Sequence, residues 1–128
     1  MNAKAQVKYL FMMCNDVDAV IDFYGNILGL PANGGNEKGY AMINAGVDIA
    51  FLKGDYELPV HKEWAWQPGY NGGAANINSF SISTSVSDLR EIYNRAKSKS
   101  SKMLFPKPDW RKDSYWAITL MDPMGNTI

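Results

Sequence analysis

One pattern of residues occurs twice along the chain, and this repetition restricts the available folds more than any other feature. "MCNDVDAVIDFY" resembles "TSVSDLREIYNR", with Asp16 and Asp88 at corresponding helix starts, 88 − 16 = 72 residues apart. "YAMINAGVDI" likewise resembles "YWAITLMDPMGNTI", with Tyr40 and Tyr115 at corresponding strand starts. The repetition predicts an internal duplication into two modules. Because a module of about 60 residues is too small to bury its own core, we expect the two modules to pack together.

The first module, about residues 5–53, is predicted to contain a strand, a helix and a hairpin. The β-forming run at 7–14 predicts the strand. Asp16 is the predicted N-cap of a helix over 16–28, because apolar residues follow it at three- and four-residue spacing. Residues 38–54 predict a hairpin of two strands that turns at "NAG".

The second module, about residues 79–128, follows a connection at about 54–78 that has no sustained period. "FSISTS" predicts a strand by alternation, and "VSDLREIYNRAKSKS" predicts a helix near 87–98 with Ser87 or Asp88 as its cap. "KMLFP" predicts a short strand. "SYWAITLM" predicts a long strand that "DPMGN" turns into a last one, which we expect to be truncated at Ile128.

Composition excludes several classes of function. The 128 residues are most simply one domain over 1–128, with thirteen basic and thirteen acidic residues, so we expect neither nucleic acid nor a membrane surface as a partner. No apolar run approaches the roughly 20 residues of a membrane span. Cys14 is the only cysteine, which excludes an internal disulfide and fits a cytoplasmic location.

Two motifs identify a family resemblance that covers essentially the whole chain. "NDVDAVIDFYGNILGL" and "LMDPMGNTI" resemble the Asp-led helix and the Asp-Pro-x-Gly-Asn hairpin of the vicinal oxygen chelate superfamily, also called the glyoxalase/bleomycin resistance/dioxygenase superfamily. The resemblance implies an α+β fold of two paired βαβββ modules that form a curled mixed sheet around a cleft. We interpret the motif residues as structural: Asp16 caps a helix, Asp122 accepts backbone N–H bonds, and Gly125 takes a positive φ.

In the metalloenzymes of this superfamily, four inward positions hold a divalent metal, which stabilises an oxyanionic intermediate of the substrate. The first-strand positions lie seven residues before each capping Asp, which gives Tyr9 and Ser81 here. The last-strand positions lie four residues after each hairpin Gly, which gives Ala50 and position 129, where the family commonly has Glu. Tyr, Ser and Ala do not supply the ligands of Zn²⁺, Fe²⁺ or Mn²⁺, so we expect no metal and no cofactor.

Aromatic residues are the other unusual feature, with four Trp, seven Tyr and five Phe. Trp64, Trp66 and Trp110 lie in polar, Pro- or Gly-bearing stretches, which is typical of residues that line a pocket or an interface. Alternation from Tyr9 and Ser81 places further side chains on the cleft face. The predicted ligand-binding set is Tyr9, Phe11, Trp64, Trp66, Ser81, Ser83, Trp110 and Tyr115.

Four other residues are functional candidates. Arg111 and Lys112 follow Trp110 and could meet an anionic or carbonyl group, although a solvated basic pair is the commoner arrangement. His61, the only histidine, is predicted to be a solvated loop residue rather than a general base. Cys14 is predicted to pack as a small apolar residue, because no His or Asp partner pattern surrounds it.

These observations leave three hypotheses. The first is a metal-independent protein that binds a small aromatic or amphipathic molecule, such as a drug-sequestering antibiotic-resistance protein or a scavenging protein, and that acts as a homodimer. Bleomycin-resistance-type members, which are metal-free dimers, make this the favoured one. The second is an enzyme, a glyoxalase-like lyase, isomerase or dioxygenase with atypical ligands. The third is a dimer kept for interaction, with no ligand.

Overall fold

A mixed four-stranded sheet forms the first of the two units into which the chain divides, at Leu58 and Pro59. The computed structural model describes residues 4–68 and 70–128. The strands of the sheet are β1 (Tyr9–Cys14), β2 (Ala32–Gly35), β3 (Tyr40–Asn44) and β4 (Asp48–Lys53), in the order β1-β4-β3-β2. β1 pairs parallel with β4, and the other pairs are antiparallel. The predicted α+β class is confirmed, and β2 is a strand that its Asn-Gly-Gly sequence did not predict.

One helix crosses this sheet, and it changes type along its length. Helix α1 (Val17–Ile21) continues directly as a π-helical segment, Asp22–Ile27. The wider turn is marked by the Leu28 N–H, which donates to the Phe23 carbonyl five residues earlier at 3.0 Å. Because the π turn holds an extra residue, the neighbours Phe23 and Tyr24 are both buried.

The predicted cap of α1 is confirmed. The Asp16 carboxylate accepts the Ala19 N–H at 3.1 Å and the Asn36 side-chain amide at 3.0 Å. Asn36 in turn accepts the Val17 N–H at 2.7 Å, so the helix start is tied to the turn after β2. The hydrogen bond from Asn36, followed by that from the Ala19 N–H, lowers the pKa of the Asp16 carboxyl, because both bonds stabilise its charged form.

The helix covers one face of the sheet and leaves the other open. Side chains of β3 and β4 pack beneath it, and the Tyr24 and Phe51 ring centroids lie 5.1 Å apart. The buried set on this side includes Val17, Val20, Tyr24, Ala41, Ile43, Ile49 and Phe51. Leu10, the register partner of Ile49, lies on the same side but is 38% exposed, because β1 is an edge strand of this sheet.

The second unit contains helix α2 (Val86–Ser98) and a hairpin of β5 (Asp109–Arg111) and β6 (Tyr115–Ala117). The N-cap of α2 is Ser85, whose hydroxyl accepts the Asp88 N–H at 3.1 Å, so the prediction of Ser87 or Asp88 was wrong. The segment offers several residues of capping type, and sequence alone did not decide among them. Among the described residues, no helix is long and apolar enough to cross a membrane.

The strands predicted in the second unit are mostly shorter than expected. "FSISTS" forms no strand: Ser79 makes a single bridge with Thr127, and residues 81–85 are irregular. Its serines favour local hydrogen bonds over a ladder, as Ser85 illustrates at the helix start. "KMLFP" contributes only a bridge at Met103, and "SYWAITLM" is a strand at Tyr115–Ala117 followed by single bridges at Leu120 and Met121.

The Asp-Pro-x-Gly-Asn turn is formed as the motif predicts. One Asp122 oxygen accepts the N–H groups of Met124 and Asn126, each at 2.9 Å, and Leu120 and Ile128 exchange two backbone bonds of 2.8 Å beyond the turn. Gly125 has φ +82°, and a Cβ at this position would overlap with the His61 carbonyl oxygen. The turn therefore needs glycine both for its conformation and for its contact with the His61 backbone.

Candidate functional site

The uncovered face of the first sheet carries large apolar side chains in solvent. On this face, Phe11 of β1 lies beside its register partner Ala50 of β4, and Met13 lies beside Leu52. Tyr9 is on the same face of β1. Tyr9 is 40%, Phe11 71%, Met13 47% and Leu52 38% exposed, and the Tyr9 and Phe11 rings lie 6.0 Å apart. We call the surface of Tyr9, Phe11, Met13 and Leu52 the open face. Its chemistry is that of a flat apolar surface with one phenol hydroxyl.

The side chains at the family's metal positions do not fit a divalent metal. Tyr9 and Ala50 share one side of the sheet, the open one. The true N-cap, Ser85, moves the position seven residues upstream from Ser81 to Asn78. The set is then a phenol, a methyl group and a neutral amide, and the described residues contain no group of three or more His, Cys, Asp or Glu that could hold a metal.

The predicted tryptophan and serine sites all lie in the second unit. Trp110 and Trp116 are register partners on one face of the β5–β6 hairpin, with ring centroids 5.5 Å apart, and each is about half exposed. Tyr115 pairs with Arg111 and therefore lies on the opposite face from Trp110. Trp66 is 63% exposed and Trp64 is half-buried. Ser81 and Ser83 are exposed in the irregular segment before α2.

A buried polar network lies beneath that hairpin. The Arg111 guanidinium, only 7% exposed, donates to both oxygens of Asp109, at 2.8 Å from Nε and 3.1 Å from Nη2. It also donates to the Thr119 hydroxyl at 2.7 Å and to Gln67 Oε1 at 3.0 Å. The Thr119 hydroxyl donates to the same Gln67 oxygen at 2.9 Å. The network joins the long connection to the hairpin.

Sequence reasoning missed this network almost entirely. A solvated basic pair was the favoured interpretation of Arg111 and Lys112, and it holds for Lys112, which is exposed, but not for Arg111. One signal was available: in "DWR" the alternation of a strand places Asp109 and Arg111 on one face, opposite Trp110. Gln67 carried no signal, because its partners are 44 and 52 residues away along the chain.

The two remaining candidates have the exposure that the sequence predicted. The His61 side chain is exposed, while its backbone N–H donates to the Met124 carbonyl at 3.1 Å. The His61 backbone therefore bonds the turn that contains Gly125. Cys14 is 1% exposed within the core of the first unit, which agrees with a packing role.

Comparisons with known proteins agree on the fold. The family profile described as "Glyoxalase/Bleomycin resistance protein/Dioxygenase superfamily" matches residues 6–128. A possible glyoxalase from Bacillus cereus is 22% identical, with a TM-score of 0.61 over 96% of this chain and 95% of the other. A glyoxalase/dioxygenase from Nostoc punctiforme is 15% identical, with a TM-score of 0.70 over 96% and 87%.

A lactoylglutathione lyase from Agrobacterium tumefaciens is also similar, at 15% identity and a TM-score of 0.63 over 98% of this chain and 92% of the other. A search of curated proteins finds no match. At these identities the solved structures carry an argument about the fold alone.

Proposed function

Because the chain belongs to the glyoxalase/bleomycin resistance protein/dioxygenase superfamily, we propose that it is a metal-independent protein that binds a small aromatic or amphipathic molecule on its open face. The observation that supports the proposal is the exposure of Tyr9, Phe11 and Met13 in a row along β1. Solvating such side chains is costly, and a contiguous exposed apolar patch usually marks a binding surface.

The open face has the chemistry to hold a flat ligand. Burying a side chain as large as Phe11 against a ligand is worth about 1.5–3 kcal/mol. The tilted Tyr9 and Phe11 rings offer edge and face contacts to an aromatic ring, and the Tyr9 hydroxyl offers one oriented hydrogen bond. Loss of one such contact corresponds to roughly a tenfold change in affinity for each 1.4 kcal/mol.

The donor set supports binding without a metal. Ala50 has no donor atom, and Tyr9 and Asn78 offer neutral groups, so a divalent ion would keep water in most of its positions and would bind weakly. We expect elemental analysis of the purified chain to find much less than one equivalent of zinc, iron or manganese. About one equivalent per chain would overturn this part of the proposal and would favour the alternative, a lyase, isomerase or dioxygenase.

The binding test uses two exposed aromatic residues of the first unit. Phe11 is 71% exposed on the open face, and Tyr56 is 74% exposed outside every strand. Aromatic compounds are first screened by thermal shift, since a ligand that binds the native state raises its Tm. For the best compound we expect Phe11→Ala to weaken binding about tenfold and Tyr56→Ala to leave the Kd unchanged. Equal effects of the two substitutions would refute the assignment of the ligand to the open face.

We further propose that the protein acts as a homodimer and that binding serves sequestration or scavenging, as in a drug-resistance protein. The first sheet has β1 and β2 as its edge strands, and a second copy of the chain can pair with such an edge. Sedimentation at high micromolar concentration should give twice the 14.3 kDa mass of the chain. A monomer under those conditions would contradict the dimer and would leave the test of the open face intact.

A further inference from the structure

The second unit buries a hydrogen-bond donor that none of the described residues satisfies. Gln67 is 9% exposed, and its Nε2 atom has no hydrogen-bond partner among the described residues. A buried donor without an acceptor costs about 1–3 kcal/mol, so native proteins rarely retain one without a use for it. The position of this amide therefore points to an acceptor supplied from outside the chain.

The orientation of the Gln67 amide is determined by its neighbours. Its Oε1 accepts from Arg111 Nη1 at 3.0 Å and from the Thr119 hydroxyl at 2.9 Å. Exchanging the oxygen and the nitrogen of the amide would set two donors, the guanidinium and the Nε2 group, against each other. The Nε2 group must therefore point away from Arg111 and Thr119, with both of its N–H bonds unused.

Arg111 has one further donor to offer. A guanidinium has five N–H bonds, and Arg111 uses four with the described residues: two to Asp109, one to Gln67 and one to Thr119. The remaining N–H is on Nη1, the nitrogen that bonds the Gln67 amide. Two adjacent groups thus hold unused donors, and the oxygen of Gln67 already accepts two bonds.

The charge of the network selects among possible acceptors. Asp109 contacts the guanidinium through both of its oxygens, and this paired geometry neutralises the charge of Arg111. A second carboxylate would therefore bring an unpaired negative charge into a buried place, which is costly. The acceptor must therefore be uncharged, and it must accept hydrogen bonds from both Gln67 and Arg111. A neutral oxygen that carries no hydrogen meets both conditions.

We propose that Gln67 and Arg111 form a binding site for the carbonyl oxygen of a small neutral molecule. A neighbouring aromatic residue suits the apolar remainder of such a molecule: Phe105 is 38% exposed, and its ring centroid lies 6.0 Å from the Arg111 guanidinium. The site lies wholly within the second unit and does not rest on the function proposed for the open face.

The side-chain amide of Gln67 gives a direct readout of binding. The chain has only two glutamines, Gln67 and the exposed Gln6, so nitrogen-15 NMR of the glutamine side chains is simple to interpret. The probes are acetophenone, which has a carbonyl oxygen, 1-phenylethanol, which has a hydroxyl in its place, and benzoate, which is anionic. We expect acetophenone to shift the Gln67 NH₂ resonances saturably, with at least a tenfold lower Kd than either of the other two.

The variant Gln67→Glu separates binding from packing. It keeps an oxygen for Arg111 and Thr119 and replaces the NH₂ donor by an acceptor, so acetophenone affinity should fall at least tenfold. Gln6→Glu makes the same charge change in the first unit and should leave that affinity unchanged.

Three results would overturn the proposal: no shift of the Gln67 resonances with millimolar acetophenone, an equal response to all three probes, or unchanged affinity in Gln67→Glu. A nuclear Overhauser effect from the Gln67 amide to bound water that no probe alters would identify water as the acceptor and would also overturn it. If Gln67→Glu fails to fold, the probe comparison on the unsubstituted protein still decides the question.

Discussion

Replacing Gly125 by alanine should destabilise the second unit far more than its turn conformation alone explains. Placing a residue with a Cβ at φ +82° costs roughly 1–2 kcal/mol. Alanine also reduces the conformational entropy of the unfolded chain, and this effect offsets about 0.4–1 kcal/mol of the cost. These two effects alone would give a net loss of about 1 kcal/mol.

The close approach of the His61 backbone adds the larger part. A Cβ on Gly125 would overlap with the His61 carbonyl oxygen and would lie 2.7 Å from the His61 nitrogen, so the two segments must separate. Separation breaks the bond from the His61 N–H to the Met124 carbonyl, worth about 0.5–1.5 kcal/mol. Forced repacking of a buried turn adds about 1–3 kcal/mol. The expected loss for Gly125→Ala is therefore about 3 kcal/mol or more.

Gly39→Ala is the matched control. Gly39 has φ +79°, and a Cβ there would meet nothing within 4 Å, so only the conformational cost remains. The assay is urea unfolding followed by far-UV circular dichroism and by tryptophan fluorescence, which reports the second unit because all four tryptophans lie in it. If the two substitutions lower the free energy of unfolding by the same amount within about 0.5 kcal/mol, the close approach of His61 does not restrict position 125, and the reasoning fails.

Two further predictions concern single contacts. Asp16→Ala should cost about 1 kcal/mol at pH 7 through loss of the cap. Because the Asp16 pKa is lowered in the folded state, its contribution is present above the unfolded pKa and lost as the pH falls through the folded pKa. Unfolding measured from pH 6 to pH 2 should therefore converge for the variant and the unsubstituted protein, and parallel curves would contradict this. For Trp110 and Trp116, a double-mutant cycle to alanine should give a coupling of about 0.5–1.5 kcal/mol, and a coupling of zero would mean that the rings do not interact in solution.

Features that depend on neighbouring residues could be predicted from sequence, and features that depend on distant ones could not. The Asp16 cap, the hairpin of β3 and β4 and the turn at Gly125 each follow from residues within a few positions of one another. The strand predicted at 80–85 does not form. Alternation indicates which side chains share a face, but a strand also needs backbone hydrogen bonds to a neighbouring strand.

The same distinction between neighbouring and distant residues applies to the candidate sites. Tyr9 and Phe11 could be placed on one face from strand parity, and their rings do lie together. The start of α2 was set three residues too late, at Asp88 instead of Ser85, so the count of seven residues that gave Ser81 gives Asn78 from the observed cap. The burial of Arg111 was not predictable, because Gln67 and Thr119, which satisfy its donors, reach it only through the fold.

The π-helical segment bears on how this chain should be aligned with its relatives. A π turn holds one residue more than an α turn, and here that residue allows Phe23 and Tyr24 to face the core side by side. A relative with a regular α-helix in this place would present the same faces only if its chain were one residue shorter between Val17 and Gly29. A single-residue gap therefore belongs inside this helix, and placing it in a flanking loop would shift every later position of the helix by one residue.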